Sequence, residues 1–363
     1  MAAVLGVGAT LGVAAGPLGG CVPRPTETPG AGEKLVTDWR GRGVVVPDEP
    51  MRIAPLDAFA AEVLVMIGAG PRLVAAQDGT RASKLLCEMH PALASLPRFM
   101  ADGAVNIESL LASAAEVVFI KETVYNSPGQ TKNLDKTEIP YVVVDYYTLE
   151  EQLEAIAFVG EVCGGEPQAR ANDLVQYYTD IAELVEGRVA DLKTAERPRV
   201  YHAVNVAVTT SGRRSVASDW IERAGAVNVS TEDGRAAKMR EYKTSLEEVF
   251  AWDPDVVVCN EADTRDYFLS DSKWAGLRAV REGKVYQLPV GATRWGHWGS
   301  YEAPLAMLWM GATLFPERFA DIDLKEKVVS YYRDMAGLAI DDTTYEMLMA
   351  GRGLRDKSAG DAA

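Results

Sequence analysis

Residues 167–192 read PQARANDLVQYYTDIAELVEGRVADL, a long and regular helical pattern. Its apolar side chains recur every three or four positions, which is the spacing of an α-helix with one buried face. They are Leu174, Tyr177, Ile181, Leu184, Val185, Val189 and Leu192. At about 1.5 Å per residue, such a helix extends for about 39 Å. A helix of this length in a compact protein usually bridges two bodies, so the pattern predicts a connecting helix over residues 166–193.

On both sides of this helix, short β-branched runs alternate with helical patterns. Strands are predicted at residues 73–76, 116–120, 141–145, 199–202 and 256–259. This alternation is typical of parallel α/β units. The sequence therefore predicts an α/β fold with two Rossmann-like lobes, residues 51–165 and 194–355, joined by a single long helix. Residues 301–350 are predicted to add extra C-terminal helices to the second lobe.

The two halves also echo each other. The run NIESLL at residues 106–111 precedes EVVF at 116–119, and SLEEVF at 245–250 precedes DVVV at 255–258. In each half, a glutamate in the first helical turn is followed eight residues later by an acidic residue that opens a β run. Coincidence between two generic helix–strand units is the alternative, but the pattern favours two related lobes.

The composition is that of an acidic globular protein. Of the 363 residues, 48% are hydrophobic and 25% are charged, which favours a packed core over disorder. The net charge of −15 argues against nucleic acid as a partner, because phosphate binding needs a basic surface. Cysteines and histidines are few and far apart, so no local metal site is predicted. They are Cys21, Cys87, Cys163, Cys259, His90, His202 and His297.

Sequence motifs for catalysis are missing as well. The chain has no Gly-x-Ser-x-Gly elbow, no Gly-x-Gly-x-x-Gly at a helix start, no phosphate-binding loop and no His-Glu-x-x-His. An enzyme on an α/β scaffold is the alternative that these motifs would support. We therefore expect a protein without enzymatic activity.

The N-terminus predicts export and a lipid anchor. Residues 1–20 carry no charge, and the run ends in LGGC at 18–21. This ending resembles the lipobox of bacterial lipoproteins, in which small residues admit the peptidase and the cysteine thiol receives the lipid. A membrane-spanning helix is the alternative, but six glycines and Pro17 disfavour it. We expect a signal peptide over residues 1–21, lipid on Cys21, and a location on the extracytoplasmic face of the cell membrane.

Two segments are predicted to lack stable structure. Residues 22–50 contain five prolines among Thr, Glu and Gly, a composition that suits a flexible tether between a membrane and a folded domain. Residues 356–363 are predicted to form a disordered tail.

Five stretches together resemble the helical-backbone class of ABC-importer binding proteins, which carry iron–siderophores, haem and cobalamin. They are residues 52–70 with Gly68-Ala69-Gly70, 106–120, 224–228, 245–259 and 274–289. The resemblance implies two α/β lobes joined by one long helix, with the ligand held in the cleft between them. It also implies a monomer without a cofactor that delivers its ligand to ABC permease subunits.

The same resemblance assigns a docking role to two glutamates. In the family, one glutamate at a helix start on each lobe pairs with arginines of the permease, and the matching positions here are Glu108 and Glu247. Two exposed carboxylates on twin lobes suit a two-fold symmetric partner. Stabilisation of the helix dipole is the alternative role for an acid in a first turn.

The candidate ligand site combines strand-end loops with two aromatic segments. Loops at the carboxyl ends of parallel strands line crevices in α/β folds, while residues 240–242 and 294–298 offer cations beside indole and phenol rings. Core packing is the alternative role for the tryptophans, and hydrogen bonding the alternative to an iron-ligand role for His297. The ligand-binding residues that we predict are Asp57, Phe59, Lys121, Tyr125, Asn205, Arg240, Tyr242, Asn260, Arg294, Trp295, His297 and Trp298.

This combination of rings and cations predicts a flat or anionic organic ligand. An iron–siderophore or similar metal chelate is the first expectation. Cobalamin, haem and a free Ni, Zn, Mn or Fe ion are the alternatives that the sequence leaves open.

Overall fold

The computed structural model describes residues 28–101 and 103–355. The predicted signal peptide with Cys21, the first residues of the predicted tether and the predicted tail 356–363 lie outside the described residues. Within the described part, no helix combines the length and the apolar character of a membrane span.

The first lobe is built around a three-stranded parallel sheet in the order β3–β6–β7, with helices on its faces. Its elements are β1 (Glu33–Thr37), β2 (Gly43–Pro47), β3 (Ile53–Pro55), α1 (Ala58–Met66), α2 (Asp78–Arg81), α3 (Lys84–Met89), β4 (Met100–Ala101), β5 (Ala104–Val105), α4 (Ile107–Ala112), β6 (Val117–Ile120), α5 (Glu122–Tyr125), α6 (Pro128–Asp135) and β7 (Tyr141–Val143). The central strand β6 is buried along its whole length, as expected for a parallel strand covered on both faces.

Two long helices follow the first lobe, α7 (Leu149–Cys163) and α8 (Gly165–Val189). The turn between them needs glycine, because Gly164 and Gly165 have φ of +65° and +56°, where a side chain is strained. Helix α8 is the connecting helix, and it ends before the predicted limit of residue 193.

The second lobe contains a six-stranded sheet in the order β11–β9–β8–β12–β13, with β10 paired to β8. Its elements are β8 (Arg199–Ala203), β9 (Thr209–Ser211), α9 (Val216–Arg223), β10 (Val227–Asn228), β11 (Glu241–Lys243), α10 (Leu246–Trp252), β12 (Val256–Cys259), α11 (Ala262–Ser270), α12 (Arg278–Arg281), β13 (Val285–Gln287), α13 (Ala303–Leu314), α14 (Leu324–Ala336) and α15 (Asp342–Met349). Strands β8, β10, β12 and β13 are parallel, and β9 is antiparallel to both of its neighbours, β8 and β11. The predicted fold of two α/β lobes joined by a long helix is therefore confirmed.

The echo between the two halves has a structural counterpart. The carboxylate of Glu116, just before β6, accepts hydrogen bonds from the backbone N–H groups of Met51 and Arg52 at 2.5 and 3.1 Å. The carboxylate of Asp255, just before β12, accepts one from the N–H of Arg199 at 2.8 Å. In both lobes, an acid ahead of the central strand thus fixes the start of the neighbouring parallel strand, β3 or β8.

The predicted flexible tether is wrong from residue 33 onward. Strands β1 and β2 form an antiparallel hairpin whose Val36 and Val46 are each 1% exposed. The carboxylate of Asp38 accepts the N–H of Val143 at 3.1 Å, and the N–H of Trp39 donates to the carbonyl of Val143 at 3.1 Å, so the hairpin joins the edge of the first sheet. Of the prolines that suggested a tether, Pro47 is the last residue of β2, and the GVVVP run of this strand supplies the buried Val46.

One apolar core runs behind both lobes. Helices α1, α7, α8, α9 and α13 all contribute fully buried side chains to it, and the outer face of each sheet has a smaller core of its own. Helix α7 packs so closely on α8 that a Cβ at Gly160 would lie 2.4 Å from the Cβ of Ala171. The two lobes are therefore joined by a continuous packed layer.

Candidate functional site

A cavity of about 1790 Å³ lies between the lobes. The first lobe lines it with residues around α2 and β4, and the second lobe with residues 205–208 and the side chains of α11. A smaller pocket of about 160 Å³, here called the floor pocket, opens at its base. The residues that line both are Ala58, Gly79, Arg294, His297, Trp298 and Arg355.

Residues 291–300, here called the floor loop, carry three of these side chains and are fixed by a buried carboxylate. Glu302 is 0% exposed and accepts hydrogen bonds from the N–H groups of Ala292 and Thr293, at 3.2 and 2.6 Å, and from the hydroxyl of Tyr332. Burial raises the pKa of Glu302, and these donors oppose that rise. A Cβ at Gly291 would lie 2.6 Å from Glu302 Oε1, so glycine is needed for this approach.

Residues 350–355, here called the C-terminal strap, bring Arg355 into the cleft from the end of the described chain. The guanidinium of Arg355 donates to the carbonyl oxygens of Gly79 in the first lobe and Ala292 in the floor loop, at 2.8 and 3.3 Å. Lys84 binds the strap through its N–H to the Leu354 carbonyl, at 3.0 Å. Burial lowers the pKa of Arg355, but an arginine stays charged at neutral pH.

His297 is a neutral hydrogen-bond donor in this setting. Burial lowers the pKa of His297 well below its usual range, and the neighbouring charges of Arg294 and Arg355 lower it further. Its Nδ1 accepts the N–H of Gly299 at 3.1 Å, so the single imidazole hydrogen is on Nε2. The Nε2–H group and two guanidinium groups therefore serve one pocket, a donor set suited to an anion.

Charged residues also join the two lobes on the side of Trp298 opposite the floor pocket. Arg240 of the second lobe donates to Asp145 Oδ1 of the first lobe at 2.8 Å, and Lys121 Nζ lies 3.6 Å from the same oxygen. Burial by itself raises the pKa of Asp145, but the charges of Lys121 and Arg240 and the hydrogen bond from Arg240 bring this pKa below its usual range. The guanidinium of Arg240 also stacks on Trp298, with its carbon 4.2 Å from the ring centroid. We call Asp145, Lys121 and Arg240 the interlobe clasp.

The structure brings together part of the predicted site. Asp57, Phe59, Asn205, Arg294, His297 and Trp298 line one or both cavities. Lys121 and Arg240 lie behind Trp298 in the clasp. Residues that the sequence analysis missed are Glu62, Asp145 and Arg355, and the first of these had a visible signal, a lone carboxylate in an apolar helix.

Six predicted residues line neither cavity: Lys121 and Arg240 of the clasp, and four more whose assignment as site residues is corrected here. Trp295 is 0% exposed and packs in the core, while Tyr242 is 6% exposed and donates from its hydroxyl to the Ser230 carbonyl at 2.6 Å. Asn260 is 1% exposed, and its Oδ1 lies 2.8 Å from His202 Nε2. The ring of Tyr125 stacks under Arg42, 4.7 Å from the guanidinium carbon, at the hairpin β1–β2. Each of these side chains is occupied in internal packing or hydrogen bonding.

The comparisons with known proteins agree with this geometry. Residues 53–290 match the family model described as periplasmic binding protein. The chain belongs to the periplasmic binding protein family. It is an extracytoplasmic solute-binding protein of an ABC importer and not an enzyme.

Individual relatives share the fold over nearly their whole length. The chain is 27% identical to the molybdate-binding protein MolA of Haemophilus influenzae, over 83% of this chain and 90% of MolA. The structure of MolA bound to molybdate superposes with a TM-score of 0.75 at 26% identity, covering 85% of this chain and 99% of that one. A periplasmic solute-binding protein from Veillonella parvula gives 0.74 at 26% identity, covering 87% and 97%.

A more distant neighbour shows the fold alone. CeuE of Helicobacter pylori, solved with Ni(II) bound, superposes with a TM-score of 0.71 at 20% identity, covering 87% of this chain and 100% of that one. In residues 28–101 and 103–355 of the present chain, no three His, Cys, Asp or Glu side chains come together in a way that could hold a metal ion.

Substitution of the buried Glu302 tests whether its carboxylate holds the floor loop in place. Glu302→Gln keeps the volume of the side chain but replaces one acceptor oxygen by an NH₂ group. Because this NH₂ group faces hydrogen-bond donors, at least one of the hydrogen bonds that Glu302 accepts is lost. We expect the free energy of unfolding to fall by about 1–3 kcal/mol, measured by urea denaturation. The control is Glu108→Gln, an exposed site where we expect a change within about 0.5 kcal/mol. Equal stabilities of the two variants would contradict the anchoring role.

Proposed function

We propose that this protein captures a small tetrahedral oxyanion of the molybdate type in the floor pocket and delivers it to an ABC permease. The observation that carries the proposal is the meeting of Arg294, Arg355 and the His297 Nε2–H group at a pocket of about 160 Å³. Charged donors hold oxyanions strongly when water is excluded. The relationship to MolA, which is named for molybdate binding, supports the same ligand class.

Local charge is needed here, because the chain as a whole carries −15 and repels anions. Arg294 is partly neutralised by Glu261, with 2.5 Å between Nη1 and Oε1. Among the described residues, Arg355 has no salt-bridge partner, and its guanidinium donates to the backbone carbonyls of Gly79 and Ala292. Arg355 is therefore the cation with charge left over for a ligand.

The iron–siderophore that the sequence analysis favoured is the second candidate. The interlobe cavity of about 1790 Å³ is large enough for an organic chelate, and Arg98, Tyr267 and Trp298 offer it cationic and aromatic surface. Haem and cobalamin fit the same argument. A bare metal ion has less support, given the described side chains.

The first experiment is isothermal titration of the purified protein with molybdate, tungstate, sulfate, phosphate, ferric siderophores, haem, cobalamin and Ni²⁺.

Arg355→Gln removes the unpaired cation, and we expect it to weaken molybdate binding by about 10–100-fold, the usual size for a hydrogen bond to a charged group. Lys84→Met is the control, because Lys84 Nζ also holds the strap, through the Gly353 carbonyl at 2.8 Å, but does not line the pocket. Binding of a siderophore with no response to molybdate would favour the second candidate. Unchanged affinity in Arg355→Gln would contradict the floor-pocket assignment.

Docking to the permease through Glu108 and Glu247 is part of the proposal. Both glutamates are exposed, and each lies in the first turn of a helix that precedes a central strand, α4 or α10. In parallel α/β units the helix N-terminus faces the edge of the sheet where the cleft opens. Leu246, adjacent to Glu247, lines the interlobe cavity, which supports a position beside the cleft mouth.

Charge reversal at both positions tests this role. We expect Glu108→Arg with Glu247→Arg to abolish permease-dependent uptake, because like charges then meet at the interface, and to leave ligand affinity within about twofold. Glu154→Arg with Glu183→Arg makes the same charge change at exposed positions on α7 and α8 and serves as the control. Uptake by cells and titration of purified protein are the two measurements. A loss of affinity in the docking variant, or a loss of uptake in the control, would refute the assignment.

We further propose that lipid on Cys21 holds the protein at the membrane. The support is the LGGC run after an uncharged apolar segment. We expect Cys21→Ser to move the protein from the membrane fraction to the soluble extracytoplasmic fraction, since one hydrophobic anchor is lost. Cys87→Ser is the matched control, and incorporation of labelled fatty acid is the second measurement. Retention of Cys21→Ser in the membrane fraction would contradict the anchor.

A further inference from the structure

Glu62 is a carboxyl group inside the floor pocket that the donor set described above does not include. It is the one charged residue of α1, in the stretch AFAAEVLVM, and it is 6% exposed. It lines the floor pocket together with Ala58, which lies one helical turn earlier on the same face. Among the described residues, no hydrogen bond or salt bridge to its carboxyl group is found.

A buried carboxyl group without a partner is more stable un-ionised, because a charge in this position loses its hydration and gains no hydrogen bond. Burial raises the pKa of Glu62 to about 8, and the charge of Arg355 limits that rise. At neutral pH the side chain therefore carries an O–H group, which donates a hydrogen bond as well as accepting one.

The other titratable groups around Glu62 come from four elements. Asp57 precedes α1, Arg294 and His297 lie in the floor loop, Glu302 precedes α13, and Arg355 lies in the strap. His297 is neutral at neutral pH, because burial holds its pKa well below the usual range. The carboxylate of Glu302 is occupied by donors of the floor loop and α14.

We propose that Glu62 is a ligand-binding residue whose un-ionised carboxyl group donates a hydrogen bond to the bound oxyanion. This inference rests on the oxyanion function proposed above. A fully deprotonated dianion such as molybdate offers only acceptor oxygens, so every group around it must be a donor. An un-ionised Glu62 completes such a set, whereas an ionised Glu62 repels the same ligand across a pocket of low dielectric. Glu62 therefore couples anion binding to a proton.

The coupling has a defined sign. Below about pH 8 the proton is present and binding is strongest. As the pH rises above this value, the free protein loses the proton and must regain it to bind, so molybdate affinity falls by up to about tenfold per pH unit. Near pH 8, binding takes up a fraction of a proton for each molybdate bound.

The test is calorimetric titration with molybdate at about pH 6.5, 8 and 9.5, with the proton uptake obtained from buffers of different ionisation enthalpy. We expect the wild-type protein to lose affinity by about tenfold or more across this range and to take up protons at the middle pH. Glu62→Gln keeps the volume and a donor N–H but cannot ionise, so we expect its molybdate affinity not to fall as the pH rises and its binding to show no Glu62-linked proton uptake. Glu154→Gln, at an exposed position on α7, is the control and should behave as the wild type.

The possible outcomes distinguish the role of Glu62 from the oxyanion function on which it rests. Wild-type protein that binds molybdate with equal affinity at all three values, without proton uptake, overturns the role of Glu62 and leaves the oxyanion function intact. A pH dependence that persists in Glu62→Gln also overturns it. Absence of molybdate binding at the lowest pH overturns the oxyanion function itself. If Glu62→Gln does not fold, the wild-type proton count alone still refutes the inference when it is zero.

Discussion

The ligand site depends on the hydrogen bonds that Glu302 accepts. Its carboxylate lies between the floor loop and the helices that follow it, and it receives donors from Ala292, Thr293 and the Tyr332 hydroxyl of α14. A loop rich in glycine has no regular ladder to hold it, so these bonds are what give Arg294 and His297 fixed positions. The helices beyond the two-lobed core thus have a function in the site. They bury a carboxylate, and the carboxylate shapes the loop that lines the candidate site.

Motion between the lobes is limited by three kinds of connection. The packed layer of α1, α7, α8 and α13 runs behind both lobes, and close-packed interiors resist shear. In front of it, the interlobe clasp joins Asp145 to Arg240 on one side of Trp298, and the strap joins Arg355 to Gly79 on the other. Since Gly79 and Lys84 tie the strap to the first lobe, opening the cleft must break the contact of Asp145 with Arg240 and the contact of Arg355 with Ala292 of the floor loop. A partner that pulls on the two lobes acts on these few polar bonds and not on the core.

The features that were predicted from the sequence show as a regular pattern of residues. The features that were missed depend on tertiary contacts. The spacing of apolar residues in α8 reflects a local helix requirement, and the acids Glu116 and Asp255 were visible because the same pattern occurs in both halves of the sequence. The hairpin β1–β2 was missed because its stability comes from the edge of a sheet about a hundred residues away in the chain, at Val143. Trp295 looked like a pocket wall because composition does not tell which side of a loop faces the core. Arg355 reaches the cleft only because the strap crosses from one lobe to the other.

Under the proposed function, the charges of the floor pocket also explain why ligand and closure favour each other. Arg355 reaches the pocket from a strap that is tied to the first lobe, and Arg294 lies in the second lobe. The charge of Arg294 is one of the causes that lower the pKa of Arg355, which means that the two guanidinium groups repel each other when the lobes are together. A dianion between them turns this repulsion into two attractions, so the closed state gains more from the ligand than the open state does. The same reasoning explains how the permease releases the ligand. Separating the lobes removes one of the two cations from the pocket, and the anion then loses much of the attraction that holds it.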